Sequence, residues 1–561
     1  MLLGLSLLSG CAAGGASPQA RASGGRSAAP ASALAPYLAG RFAEMTGHLN
    51  EAASLMLAAY RRSPDVGALR GQTFLACLMA GRPEAGDLAA SLPDNPLARM
   101  MLGNQAAARG DWQAARAEYA AVKAGGVSDF LVPLLTAWTL EGGHDTDGAL
   151  ALLAPKATDT APLPSYALAA ALIADLGDRY PQAQSDYDLA RQSFGGLNLR
   201  LAQILANWDY RQGHVNTARA LLADLGRRAP FLALAVPALT RDLATRPVRN
   251  ATDGLAETYL SFATDLEAEQ AADKRTAAAG EPLAEAMLRL ALRLRPDFTA
   301  ARLLLADIMP PNEAGAAMAL LRDIPASDPL MPIVQIKLAT MEDATGATAA
   351  AETRLQRLIA AMPDQTEPLA ALGDMQLARQ DYGQAIATYG RAIGLNPSAP
   401  SAWTFYYARA NAEQLAGNWP AAEADLKQAL ALSPNEPSVL NFLGFSWADH
   451  DVHLNDARRM LTKAVKLQPD DGAIIDSLGW VELRQGDVTD AVRELEKAVH
   501  LDPADPEING HLGDAYWAAG RKLQARYQWQ LALALKPDRK AVPKLEAKLQ
   551  TAVRETSAPP Q

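Results

Sequence analysis

The sequence predicts an all-α fold, an α-α superhelix of about fourteen helix pairs, and three observations carry that expectation. Prolines 469, 503 and 537 stand 34 residues apart. The same residue types return around them: Leu478-Gly479 and Leu512-Gly513, Ala491 and Ala525, Leu495 and Trp529, Ala498 and Ala532. The composition suits closely packed helices, being 49% hydrophobic, rich in Ala and Leu, only 6% aromatic and poor in runs of Val, Ile and Thr. A single core stops growing at roughly 250 to 300 residues, so a chain of 561 is better served by a repeat array.

Each position in the repeat has a mechanical reason. Gly479 and Gly513 let the second helix approach the first, and Ala491 and Ala498, seven residues apart, put small contact points on one helical face. Gly486-Asp487 marks the turn between helices, and Pro503 ends the second. This 34-residue pattern resembles the tetratricopeptide repeat. The resemblance divides the chain. Residues 35–230 form a degenerate solenoid, with one repeat at Ala39-Gly40, Ala52, Met56, Ala59 and Pro64, another at Leu102-Gly103, Ala115 and Tyr119, and a third at Leu205-Ala206, Ala218, Leu222 and Pro230. Residues 231–296 form an irregular hinge region closing with one helix pair, because Pro237, Pro247 and the polar run 267–280 break the phase. Residues 297–537 are a regular solenoid, and 538–561 a basic capping helix with a frayed tail.

The first 34 residues read differently. Residues 1–11 are a short apolar run ending in Leu8-Ser9-Gly10-Cys11, which resembles the lipobox of bacterial lipoproteins, and 12–34 are an Ala/Gly/Ser/Pro tether. The resemblance implies acylation of Cys11, and Ala12 after it favours the outer membrane. Cys77, the other cysteine, lies in an apolar segment and reads as core.

Several function classes lack support. A net charge of −10, from 52 basic and 62 acidic residues, offers no basic stripe for nucleic acid. No Gly-rich phosphate loop, Gly-x-Ser-x-Gly elbow or His-Glu-x-x-His occurs, so neither an enzyme nor a cofactor is expected. His450 and His453 have a spacing that suits a metal, but they fall in a turn and read as its solvated side chains; His500 and His511 are isolated and read as exposed or interhelical.

Repeat geometry points instead to a protein-binding groove lined by the first helices. Its inward positions are Tyr407, Asn411, Asn441, Phe445, Asp476, Trp480, Arg484, Asp514 and Trp517, a mixture of aromatic anchors and hydrogen-bonding groups suited to extended peptides. The segments Asn441-Phe442-Leu443-Gly444-Phe445-Ser446-Trp447, Ile475-Asp476-Ser477-Leu478-Gly479-Trp480 and His511-Leu512-Gly513-Asp514-Ala515-Tyr516-Trp517 resemble proteobacterial tetratricopeptide outer-membrane lipoproteins, including the adaptor and activator of a periplasmic C-terminal processing protease. That resemblance implies a lipid-anchored, periplasm-facing adaptor without catalysis, recruiting such a protease, its substrates or envelope-assembly proteins. Two alternatives stay open: an assembly factor for an envelope polysaccharide or outer-membrane machine, and a cytoplasmic regulatory scaffold if Cys11 is not acylated.

Overall fold

The computed structural model describes residues 32–157, 163–194, 196–272 and 277–557. Cys11, with the expected lipobox and residues 12–31 of the tether, lies outside the described residues. Among the described residues there are thirty-one α-helices, two short 3₁₀ turns and no strand. The helices form fourteen successive pairs, two short helices and one terminal helix, so the fold is an all-α helical-repeat superhelix.

Local chemistry sets the helix ends. Asp471 caps Gly472–Gln485 by accepting from the backbone N–H of Ile474 at 3.1 Å, and Asp505 caps Pro506–Ala518 with Pro506 in the first turn. Between Gly472–Gln485 and Val488–Leu501, Gly486 has φ 85°, a left-handed conformation that favours glycine. The expected close approach of paired helices is present. A Cβ on Gly513 would lie 2.4 Å from the Trp529 ring, and one on Gly479 would lie 2.6 Å from Leu495.

Contacts divide the chain into two compact units. The first takes residues up to Ala190 together with Asn250–Ala301 and Ile308–Glu313. In it, the pair Ala251–Ala272 and Ala277–Leu294 packs on the first helices of earlier pairs, Gly67–Met79, Pro96–Ala108, Val127–Gly142 and Pro164–Leu176. Hydrogen bonds fix this seat. Trp138 Nε1 donates to Thr258 Oγ1 at 3.0 Å, and the hydroxyls of Tyr119 and Tyr259 both donate to Asn104 Oδ1, at 2.6 and 3.1 Å. All three aromatic rings are fully buried, and Gly254 lets the Trp138 ring lie against the helix backbone. Burial pushes both tyrosine hydroxyls well above their ordinary pKa. Cys77 is buried in this unit's core, where burial raises its thiol to about 11, so it is an inert packing group.

The polar run 267–280, expected to interrupt the repeat, is helical apart from 273–276, which lie outside the described residues. Among the described residues of 231–296, the irregular part is the short helices Pro230–Ala233 and Val236–Arg241 and the segment up to 250. Proline did not break the helix at every position either, since Pro133 and Pro155 lie inside Val127–Gly142 and Thr146–Ala157.

The second unit takes Arg191–Arg249, Arg302–Asp307 and residues from Ala314 onward. From Met331 to Ala534 its pairs follow one another in chain order, each packing on the next, and Val542–Ser557 closes the array on Lys522–Ala534.

Candidate protein-binding groove

The groove lies in the second unit, on the first helices Trp403–Leu415, Pro437–Asp449, Gly472–Gln485 and Pro506–Ala518. A depression of about 420 Å³ is lined by Tyr407, Asn411, Asn441, Phe445 and Asp476. A second, of about 610 Å³, is lined by Phe445, Trp480, His511 and Asp514 and by Lys540, Lys544 and Lys548 around the terminal helix. Aromatic contacts run along both. Trp403 meets Tyr407 edge-on with centroids 6.4 Å apart, Tyr407 meets Phe442 at 5.7 Å, Phe445 lies 6.1 Å from His511, and His511 stacks on Trp480 at 4.3 Å.

Of the nine positions expected to face the groove, seven line one depression or the other, whereas Arg484 and Trp517 line neither. Arg484 places its guanidinium 5.8 Å from the Trp480 ring centroid and 3.5 Å from Asp451, so it flanks Trp480. Trp517 packs 5.4 Å from Trp529 with the Lys522 ammonium 3.3 Å from its ring, a role in closing the end of the array. Two seated residues are also engaged within the protein. Asp476 accepts from His511 Nδ1 at 2.9 and 3.0 Å, and Asp514 accepts from Trp529 Nε1 at 3.0 Å and Lys548 Nζ at 2.6 Å.

One rule explains which positions stay free. The residue after the first-helix Gly or Ala points toward the groove, and the side chain about sixteen residues later fills the space beside that Gly or Ala. Where the filler is Tyr or Trp, its polar tip captures the groove residue: Tyr119 holds Asn104, Tyr389 holds Asp374 at 2.6 Å, and Trp529 holds Asp514. Where the filler is leucine, as at Leu461 and Leu495, it has no polar tip and the groove residues are Phe445 and Trp480. Leu426 stands in the same relation to Asn411. Among the residues that line the two depressions, two buried side-chain polar atoms lack a partner: the Trp480 indole N–H, a donor, and Asn441 Oδ1, an acceptor.

His511, read from the sequence as isolated, is the residue that joins the groove's parts. Burial works to lower its pKa, but the charge and hydrogen bond of Asp476, with Glu507 and Asp514, raise it above the ordinary value. Burial raises Glu507, as do the nearby Asp476, Asp505 and Asp449, while His511 works to lower it. The three lysines were also missed as groove residues, although the spacing of Lys544 and Lys548 puts those two on one side of the helix Val542–Ser557, with Lys540 in the turn before it. His450 and His453 sit elsewhere, beside indoles: His450 stacks on Trp419 at 4.8 Å and His453 lies 5.0 Å from Trp447.

The tetratricopeptide-repeat family model matches residues 336–400, 370–437 and 477–540, which take in much of this groove. A TPR repeat-containing protein of Pseudomonas aeruginosa is 44% identical over 68 residues, 12% of each chain. The bacteriophage adsorption protein A of Escherichia coli is 38% identical over 99 residues, 18% of this chain. The chain therefore spans only 12% and 9% of the lengths of these two relatives. Among solved structures, the APC/C hetero-tetramer Cut9–Hcn1 is similar over 93% of this chain and 96% of the other, with 15% identity and a TM-score of 0.38. The segments matched by the family model are tetratricopeptide repeats, a fold that serves in general as a protein-interaction scaffold.

Proposed function

We propose that this chain is a non-catalytic adaptor that holds an extended segment of a partner protein in the groove between Tyr407 and Trp480. The observation that supports this most is the pair of unpartnered buried atoms amid aromatic faces. A peptide backbone offers a carbonyl to the Trp480 N–H and an amide N–H to Asn441 Oδ1, while its side chains pack on Phe445 and Tyr407. Acidic lining at Asp471, Asp505 and Glu507 and lysines at 544 and 548 give the groove two signs of charge, which select a partner's orientation.

The resemblance to outer-membrane lipoproteins supports a finer reading. Acyl chains on Cys11 hold the adaptor at the outer membrane, facing the periplasm, where it gathers a C-terminal processing protease, its substrates or envelope-assembly proteins and raises their effective concentration. Two experiments test the two parts. Crosslinked pull-down with the intact chain and with the Phe445→Ala/Trp480→Ala variant is expected to lose the main partner in the variant; equal recovery overturns the groove. Metabolic palmitate labelling is expected in the intact chain and not in Cys11→Ser; no labelling in either overturns the anchor.

A further inference from the structure

The first helix among the described residues is built inside out. In Leu34–Met45 the residues packed inward are Pro36, Gly40 and Ala43, whereas Leu34, Leu38, Phe42 and Met45 are 60, 56, 69 and 80% exposed. At about 100° per residue the four large side chains share an arc of roughly 80°, opposite the small buried ones. The ends of a repeat array ordinarily present a polar face, which keeps the array soluble. The terminal helix Val542–Ser557 follows that rule with Lys544, Glu546 and Lys548, and the first helix does not. A contiguous exposed apolar stripe of this kind marks a docking surface.

Charge identifies what docks there. From Arg21 to Arg62 the chain has five arginines and two glutamates, although its formal net charge is −10. Arg61 and Arg62 are exposed, and Arg62 Nη1 donates to the Ser32 carbonyl at 3.5 Å, which places a guanidinium beside the Leu34 end of the stripe. Arg41, at the stripe's edge, pairs with Glu44 at 2.5 Å and keeps 40% of its side chain exposed.

We infer that the helix Leu34–Met45 lies on an anionic lipid surface, its large apolar side chains in the acyl boundary and its flanking arginines at the headgroup phosphates. A second copy of the chain is a poorer occupant, since a two-fold contact would bring these arginines toward their own copies. The contact does not depend on acylation of Cys11, and it complements it. Where acyl chains on Cys11 hold the chain, an amphipathic helix 23 residues further on adds a second point of contact and sets how the array leaves the surface.

The test uses the full chain carrying Cys11→Ser, which excludes a lipid on that residue, in flotation with vesicles. Vesicles containing phosphatidylglycerol are expected to carry the protein at low salt, with binding about tenfold weaker on pure phosphatidylcholine or at high salt. Adding Leu38→Asn and Phe42→Asn is expected to weaken binding about tenfold or more with an unchanged circular dichroism spectrum, because both side chains are exposed. Leu523→Asn with Tyr527→Asn, on a different exposed stripe, is expected to change nothing. Absence of flotation overturns the inference. So does equal binding by the Leu38/Phe42 variant, which would put the contact elsewhere, for instance in the apolar run 2–8. Dissociation of an oligomer by Phe42→Asn without lipid binding overturns it in favour of a self-interface. A failure of palmitate labelling bears on Cys11 alone and leaves this result standing.

Discussion

Both units offer a face made from the first helices of their pairs, and the chain treats the two faces in opposite ways. In the first unit the pair Ala251–Ala272 and Ala277–Leu294 occupies that face, and the space left beside Trp138 and Gly254 is about 10 Å³, room for one water at most. In the second unit the face stays open, with depressions of about 420 and 610 Å³. Tryptophan records the difference. Trp138 is 1% exposed with its indole N–H bonded to Thr258, whereas Trp480 is partly exposed with its indole N–H unpartnered. The same architecture therefore yields a core where the chain covers its own face and an open face where it does not.

The strongest way to break this comparison is to remove each indole. Trp138→Ala leaves a cavity at the centre of a filled seat and is expected to cost about 3–5 kcal/mol, seen in urea unfolding and in faster amide exchange over Val127–Gly142 and Ala251–Ala272. Trp480→Ala is expected to cost about 1 kcal/mol or less while abolishing partner capture, since its ring is only partly covered. Comparable stability losses for the two would mean that the second face is as much a core as the first.

A smaller effect sharpens the rule for free and captured groove positions. Tyr389→Phe removes the hydroxyl that holds Asp374 and nothing else from a ring that is 1% exposed. The expected cost is about 1–2 kcal/mol, because the lost bond has a charged acceptor. Partner capture is expected to remain unchanged, since neither residue lines the open depressions. A binding loss equal to that of Trp480→Ala would extend the groove into the repeat at Glu367–Leu395.

How much of this was legible in the sequence follows from the range of the interactions. The prolines, glycines and alanines of the repeat act within one helix pair, so their spacing showed the fold and Gly513 meets Trp529 as expected. The capture of Asp514 was legible too, because Trp529 stands sixteen residues from Gly513; what was lacking was the rule that an aromatic filler spends its polar tip on the neighbouring groove position. The return of Ala251–Leu294 to helices several pairs earlier in the chain has no local signature, since a buried amphipathic pair reads alike whichever partner buries it. The first helix had a signal that went unused: Leu34, Leu38, Phe42 and Met45 already share an arc opposite Pro36, Gly40 and Ala43. His511 looked isolated because Asp476, its partner, lies 35 residues away, one repeat earlier on the adjacent first helix.

That pair supplies the finest test of the open face. The pKa of His511 is raised in the folded chain above its ordinary value of 6.5, because the Asp476 carboxylate outweighs burial. A raised folded value means that the protonated ring stabilises the fold. The contribution is complete below pH 6.5 and is lost as pH rises through the folded value. The urea midpoint of the second unit is therefore expected to fall slightly from pH 6 to pH 9, and His511→Gln to flatten that slope. Glu507 also has a raised value, and its contribution fades as pH rises from about 4.5 through its folded value. Nuclear magnetic resonance titration of the ring checks the cause directly: a midpoint above 6.5 in the intact chain should return toward 6.5 in Asp476→Asn if burial is relieved by water entry, or drop below it if burial persists. A midpoint unmoved by Asp476→Asn would assign the shift to Glu507 and Asp514, and Trp480 would then stack on a cation held by its own helix, Pro506–Ala518, instead of by the repeat before it.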